Sequence, residues 1–286
     1  MLSHVIDLLA DPVDGTALSG VDDYARLTSA SGHSYDVAKQ GYVTLAGGAG
    51  LKHQGDSAEM VQARETFLSL GHFAPFVEAV SAAAADALDA AGVPEDHDPA
   101  ILEVGAGTGY YLAHTLDVVQ EARGVGLDIS TAAARRLAKA HPRLGAVVAD
   151  IWDGLPLLDD TIDVISVIFA PRNPAEFARV LRADGQVITL TPAPGHLDEL
   201  REPLGIIGVE ANKLERMIDQ AEGHLRVLGE PESLEFTMTL DRSAIAAQVG
   251  MSPSARHIED LSEKLERLPE TMTVTARAHL TRLGRV

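Results

Sequence analysis

The chain has 286 residues, enough for one large domain or two modest ones. Its 46% hydrophobic content is that of a folded globular protein, and no apolar run approaches the ~20 residues that a membrane helix needs. A net charge of -19, from 42 acidic residues against 23 basic ones, counts against a broad nucleic-acid surface of lysine and arginine.

A solubilising acidic surface explains that charge, and any nucleic-acid contact must then be a local basic patch on an acidic body. The chain has no cysteine, so disulfides, thiolate metal sites and thiol nucleophiles are excluded. Met1 to Ala10 has no basic region and carries Asp7, so no secretory signal and no membrane association are expected, and the default location is the cytoplasm.

Residues 1–50 hold turn signals (Asp11-Pro12, Asp14-Gly15, Ser31-Gly32, Gly47-Gly48) and short β-like pieces such as Tyr42 to Leu45, with no long helical period. They predict a small β-rich module with little core of its own. A flexible loop is expected over 47–55. Asp56 or Ser57 is placed to cap a helix that begins at Ala58, with Met60, Ala63, Phe67 and Leu68 at helical spacing. Gly71 interrupts it, and an alanine-rich helix follows over 73–91. Gly92-Val93-Pro94 ends that helix, and 95–99 reads as a polar linker. The chain thus divides into a module over 1–50, a linker with helices over 51–99, and a main domain over 100–286.

From residue 100 strands and helices alternate. Strands are expected at 100–104, 123–128, 144–149, 162–168 and 185–191, and helices near 109–120, 130–140 and 174–182. This spacing predicts an α/β fold: a mostly parallel sheet with helices on both faces. The tail departs from the alternation. A helix ends over 217–223, 234–240 alternates as a strand, Asp241 caps a helix to about Gly250, and 272–283 reads as a final strand. Two late strands joined by a helix can add an antiparallel edge.

The most informative stretch is Ile101 to Tyr111, a strand that stops in Gly105, Gly107 and Gly109 just before a helix. Glycine lets a ligand lie against bare backbone there. A dinucleotide fingerprint wants its third glycine where Tyr110 stands. The pattern Glu103-x-Gly105-x-Gly107-x-Gly109 resembles instead the first motif of class I S-adenosylmethionine-dependent methyltransferases, which have a Rossmann-like sheet. A purely structural turn is the alternative. The second strand ends in Asp128, followed by Ile129, where a carboxylate can accept both ribose hydroxyls. Asp128 as a helix cap is the other reading of that residue. The third strand ends in Asp150 and Ile151, which the resemblance places at the adenine.

Outside that core, Gly32 to Val43, the segment Gly55-Asp56-Ser57-Ala58-Glu59-Met60 to Arg64, Phe67-Leu68, Gly71-His72-Phe73, Ala170-Pro171 and Thr191 to Leu197 closely resemble the 23S rRNA (guanine-N1)-methyltransferase family. That family includes enzymes conferring resistance to tylosin-type macrolides, and the resemblance covers essentially the whole chain. It implies an N-terminal module that helps to bind RNA and a C-terminal domain that moves the methyl group of S-adenosylmethionine to N1 of a guanine in a 23S rRNA hairpin loop. It also implies a homodimer. Family cofactor contacts fall on Phe73, Gly107, Thr108 and His196.

The chain departs from the family in its front module, a zinc-ribbon-like fold held by three Cys and one His. Asp11, Asp14, Ser29 and His33 stand at those positions. Zinc is not expected, and a module folded without metal is preferred over one holding a harder cation. The candidate proton acceptors are His196 and Asp56, with Glu59 behind them. Phe73, Tyr110, Phe169 and Tyr42 are available to stack an extruded base, or to be core. Arg64, Lys52, Lys39 and Arg172 are the candidates for phosphate contacts. Two other readings remain: a methyltransferase for a small molecule or another RNA, and a module that binds without turnover.

Overall fold

The computed structural model describes residues 1–48, 50–92 and 98–286. The Val93-Pro94 helix stop and most of the 95–99 linker lie outside the described residues, as does Ala49 of the 47–55 loop.

The front module opens with two short 3-10 turns. An antiparallel sheet follows: β1 (Leu18–Val21), β2 (Arg26–Ser29) and β3 (Ser34–Asp36). Then β4 (Tyr42–Thr44) leaves it and pairs in parallel with the main sheet, Val43 opposite Val147. The short apolar pieces of 1–50 cannot bury themselves alone, so they borrow the core of the larger sheet. Leu2, Val5, Leu8 and Leu9 are buried against it, and Gly145 makes room: a Cβ there would stand 2.3 Å from the Val5 Cγ2. Asp7 and Arg123 close the seam with a two-pronged pair at 2.6 and 2.8 Å.

Ser57 caps α1 (Ala58–Ser69) by accepting the Met60 amide, and Gly71 separates this helix from α2 (Ala74–Ala91). Next come β5 (Ala100–Val104), α3 (Tyr110–Val118), β6 (Arg123–Asp128), α4 (Thr131–Leu137) and β7 (Leu144–Val148). They are followed by β8 (Ile162–Ile168), α5 (Pro174–Val180) and β9 (Leu181–Pro192). The tail adds α6 (Arg201–Leu204), α7 (Lys213–Ala221), β10 (Leu225–Val227), β11 (Glu232–Asp241), α8 (Arg242–Gly250), α9 (Leu261–Glu266) and β12 (Thr271–Arg285).

The main sheet runs β10-β12-β9-β8-β5-β6-β7-β4, with β11 also on β12. β4 to β9 pair with one another in parallel, and β12 is antiparallel to β9, β10 and β11. Every residue of β5, β7 and β8 is buried, as expected of strands covered on both faces. One face packs on α1 to α4 through Phe67, Phe76 and Leu112, the other on the N-terminal turns, α5 and α7 through Leu8, Phe177 and Met217. The strand order reverses at β5, whose neighbours are β6 on one side and β8 on the other. Such a switch point opens a crevice at the carboxyl ends of the strands. Among the described residues no single helix is long and apolar enough to cross a membrane.

The four positions where the family has zinc ligands do lie near one another. Asp11, Asp14 and His33 offer ligand atoms within 4.8 Å of one another. Thiolate ligation is impossible, and the Asp11 carboxylate is already engaged. It accepts from the Val13 amide at 2.9 Å and the Tyr35 hydroxyl at 2.6 Å, and it meets His33 Nδ1 at 2.7 Å. These donors do not fit a zinc cage; they form a hydrogen-bonded cross-link between the first turn and β3. Burial opposes ionisation of Asp11, but bonds from Ser29, Tyr35, Val13 and His33 overcome it and hold the carboxyl well below its usual range. A carboxylate with a depressed pKa contributes stability that is complete above pH ~4 and is lost as pH falls. Asp11→Asn should therefore cost about 1–3 kcal/mol in thermal or urea unfolding near neutral pH, while EDTA leaves the wild-type midpoint in place. Equal stability of the two proteins, or a large chelator effect, would contradict this cross-link.

Candidate active site at the strand ends

The glycine turn follows β5. Gly105 and Gly107 have φ of +68° and +55°, a region that side chains with a Cβ avoid. The Gly105 and Ala106 amides donate to the Leu127 carbonyl at 2.8 and 3.0 Å, so the turn is pinned to β6. A Cβ at Gly107 would stand 2.8 Å from an Arg64 guanidinium nitrogen, and one at Gly105 would stand 2.5 Å from the Ala170 side chain. Thr108 and Gly109 complete the turn, and Gly109 is the residue before α3.

Asp128, at the end of β6, is buried and accepts two amides: Gly107 on one oxygen and Ser130 on the other, each at 2.8 Å. Ser130, not Asp128, caps α4. Burial pushes the Asp128 carboxyl up, against the two amides and the Arg64 charge that stabilise its ionised form. Each of its oxygens keeps a lone pair for a further donor. Ile129 is half-buried beside it. At the end of β7, Asp150 accepts the Trp152 amide at 3.0 Å and meets His53 Nδ1 at 2.6 Å; Ile151 is buried next to it.

Glu103 lies beneath the turn, fully buried, with Oε2 lacking any partner among the described residues. Burial raises its pKa to about 8, and the nearby Asp128 charge adds to the rise. Asp128, Asp150 and the unsatisfied Glu103 oxygen stand at the ends of three adjacent strands. They suit an amine, an amino group and a ribose, so the crevice fits S-adenosylmethionine by its donor set.

One segment reaches all three strand ends. His53 meets Asp150, the Asp56 carbonyl accepts the Ser130 hydroxyl at 2.7 Å, and Arg64 lies on Gly107. Arg64 also donates to Asp56 at 2.7 Å and to the Met251 carbonyl at 3.1 Å. Arg64, expected among the phosphate contacts, is half-buried and packs on the glycine turn. Glu59 is exposed in the first turn of α1, where the helix dipole favours a carboxylate. Lys52 is exposed and pairs with Asp153 at 2.5 Å, and Lys39 is exposed on the front module.

His196 follows β9. Its Nδ1 accepts the Arg277 amide at 3.0 Å, which leaves the ring proton on Nε2. Burial lowers its pKa to about 4, so the ring is neutral near pH 7. Its ring lies 5.9 Å from Phe169 and 6.2 Å from Phe73. Phe73 is buried in this aromatic cluster with Phe67 and Phe76, and Tyr110 and Tyr42 are half-buried. Phe169 differs: it is 38% exposed and has φ of +53°, a strained backbone for an aromatic residue, held by the hydrogen bond that its N–H donates to the Leu190 carbonyl. His53, Lys213 and Arg277 were not singled out from the sequence. Only Lys213 carried a signal there, three residues before Arg216 on one helix.

A parallel sheet closed by an antiparallel hairpin, with a glycine turn at the end of its central strand, defines a class I S-adenosylmethionine-dependent methyltransferase. Residues 101–185 match the family model described as a methyltransferase domain. The chain is 43% identical to a protein of Micromonospora griseorubida provisionally named a 23S rRNA (guanine-N1)-methyltransferase, over 95% of each chain. It is 38% identical to the 23S rRNA (guanine(748)-N1)-methyltransferase of Streptomyces fradiae, over 96% of each. A provisionally named relative from Bacillus subtilis is 29% identical over 85% of each. The chain belongs to the 23S rRNA (guanine-N1)-methyltransferase family.

The Glu103 carboxyl gives a test that needs no substrate. Its pKa is raised on folding, so its contribution to stability is complete below pH ~4.5 and is lost as pH rises toward about 8. The wild type should lose unfolding free energy over that window relative to Glu103→Gln, measured by urea denaturation. Parallel pH profiles would contradict a neutral Glu103.

Proposed function

We propose that the protein transfers the methyl group of S-adenosylmethionine to N1 of a guanine in 23S rRNA. The observation that carries this reading is the near-full-length similarity to the two relatives above, joined to an intact glycine turn and strand-end carboxylates. When bound, S-adenosylmethionine supplies an electrophilic methyl group on a sulfonium sulfur. We assign Asp128 to the ribose hydroxyls, with Ile129 beside it, and Asp150 and Ile151 to the adenine. Gly105, Gly107, Thr108 and Gly109 let the backbone approach the methionyl end, and Glu103 lies under its amine. Arg64, seated on Gly107, is the cation for the carboxylate. Phe73 backs the site as part of its aromatic wall.

Guanine N1 carries a proton at neutral pH, and the nitrogen lone pair must meet the methyl carbon in line with the sulfur. Placement of those two atoms supplies much of the rate. Phe169 is the aromatic face exposed to stack the extruded guanine. His196 has its proton on Nε2 and Nδ1 engaged, so it suits a hydrogen-bond donor to cofactor or base. Asp56 is then the acceptor for the N1 proton, with Oδ2 on Arg64 and Oδ1 left for the proton. Such a group contributes roughly 10²–10⁴-fold to the rate. Dimerisation and a cytoplasmic location complete the reading.

The direct assay is methylation of a 23S rRNA transcript with labelled S-adenosylmethionine, followed by nucleoside analysis. N1-methylguanosine is expected, and guanine 748, named for the relative in S. fradiae, is the first position to inspect. Cofactor binding without label in rRNA would point to a small-molecule acceptor. A second test concerns Arg64. In calorimetry, Arg64→Gln should weaken S-adenosylhomocysteine binding at least tenfold and leave methylthioadenosine, which lacks the amino-acid end, within about twofold. Equal loss for both ligands would remove Arg64 from the carboxylate.

A further inference from the structure

The ends of β8 and β9 carry a feature that the methyl-donor crevice does not use. Arg172 follows β8, three residues after Phe169, and is half-buried. One guanidinium nitrogen donates to the Thr191 hydroxyl at 3.0 Å, while Nε is buried with no hydrogen-bond partner among the described residues. Lys213 and Arg216 stand one turn apart on α7. The same helix presents Met217 and Gln220 to the small cavity that Arg172 lines, so α7 lies directly beside Arg172. Glu210 pairs with Arg216 at 2.5 Å, but among the described residues no carboxylate forms an ion pair with Arg172 or Lys213. Burial, then Arg172 and Arg216, hold the Lys213 ammonium below the ordinary lysine value.

In a chain of net charge -19 carboxylates are abundant, yet among the described residues none forms an ion pair with either cation, and Glu210, which pairs with Arg216, only partly offsets the like charges around Lys213. Like charges held together and partly desolvated are unfavourable until an anion closes on them. The place limits what that anion is. The methyl donor's crevice lies at β5, β6 and β7, on the other side of the switch point. The cations lie on the β8–β9 side: the Lys213 charge acts on His196, whose ring is 5.9 Å from Phe169.

We propose that Arg172 and Lys213, with Arg216 at the rim, form an anion subsite for an RNA phosphate next to the target guanosine. The inference rests on the rRNA reading above and adds to it the group that holds the substrate backbone while the base stacks on Phe169. Guanidinium and ammonium together match a phosphate: two directed donors from arginine and a point charge from lysine. This is a local patch, the form of RNA contact an acidic chain permits. The basic residues of the N-terminal module are not needed for it.

The test uses the full-length protein and hairpin transcripts from 23S rRNA, with binding read by fluorescence anisotropy across KCl concentrations. Arg172→Gln/Lys213→Gln should bind the hairpin more weakly, and its log affinity against log salt should be flatter by about one to two, as for one or two lost phosphate contacts. Its S-adenosylhomocysteine affinity and melting temperature should match the wild type. A scan of single methylphosphonate linkages locates the partner. One linkage should cost the wild type the same factor as the double substitution, and cost the double variant nothing. An unchanged salt slope, or equal sensitivity of both proteins at every linkage, would overturn the subsite even if the wild type methylates rRNA. Binding through the cluster without methylation would overturn the rRNA reading and leave the subsite in place.

Discussion

The carboxylate of Asp128 is the joint on which the site depends. One oxygen fixes the Gly107 amide and the other fixes Ser130, so a single buried side chain sets both the glycine turn after β5 and the start of α4. Burial makes that carboxylate costly, and the two amides and Arg64 offset part of the cost. The Gly107 φ of +55° persists because this frame holds it. The turn is therefore shaped before any ligand arrives, which lowers the ordering cost of binding.

Over that frame lies the stretch from His53 to Arg64. It touches the end of β7 through His53, the end of β6 through Asp56, and the turn after β5 through Arg64. The same residues that tie the helical segment to the sheet thus lie across the crevice proposed for the methyl donor. Next to it, β12 locks His196 by donating the Arg277 amide to its Nδ1, which decides the tautomer and with it the role the ring can play. The antiparallel tail, which lies outside the matched methyltransferase domain, thus fixes the orientation of a residue of the candidate site.

Much of this was legible from residue order. The glycine spacing, Asp128 and Asp150 at strand ends, a helix cap at Asp56 or Ser57 and the late β11-α8-β12 edge follow from periodicity and turn chemistry, which are local. What escaped is what requires two distant segments to meet. Arg64 reads as an ordinary helix-surface cation until α1 is laid on the glycine turn. Residues 1–50 read as a separate module, yet β4 joins the main sheet because its few apolar residues need a partner. Lys213 and Arg216 acquire meaning only when α7 is placed beside Arg172. Of four aromatic candidates, only Phe169 is left exposed with a strained backbone, and strain has no sequence signal.

The position of the methyl donor is the most direct test of the site. A crystal structure of the complex with S-adenosylhomocysteine should show the ribose hydroxyls on Asp128, the adenine at Asp150 and Ile151, and the carboxylate on Arg64, with residues 53–64 still across the strand ends. A ligand bound elsewhere, or Arg64 turned to solvent with the carboxylate held by other groups, would contradict it.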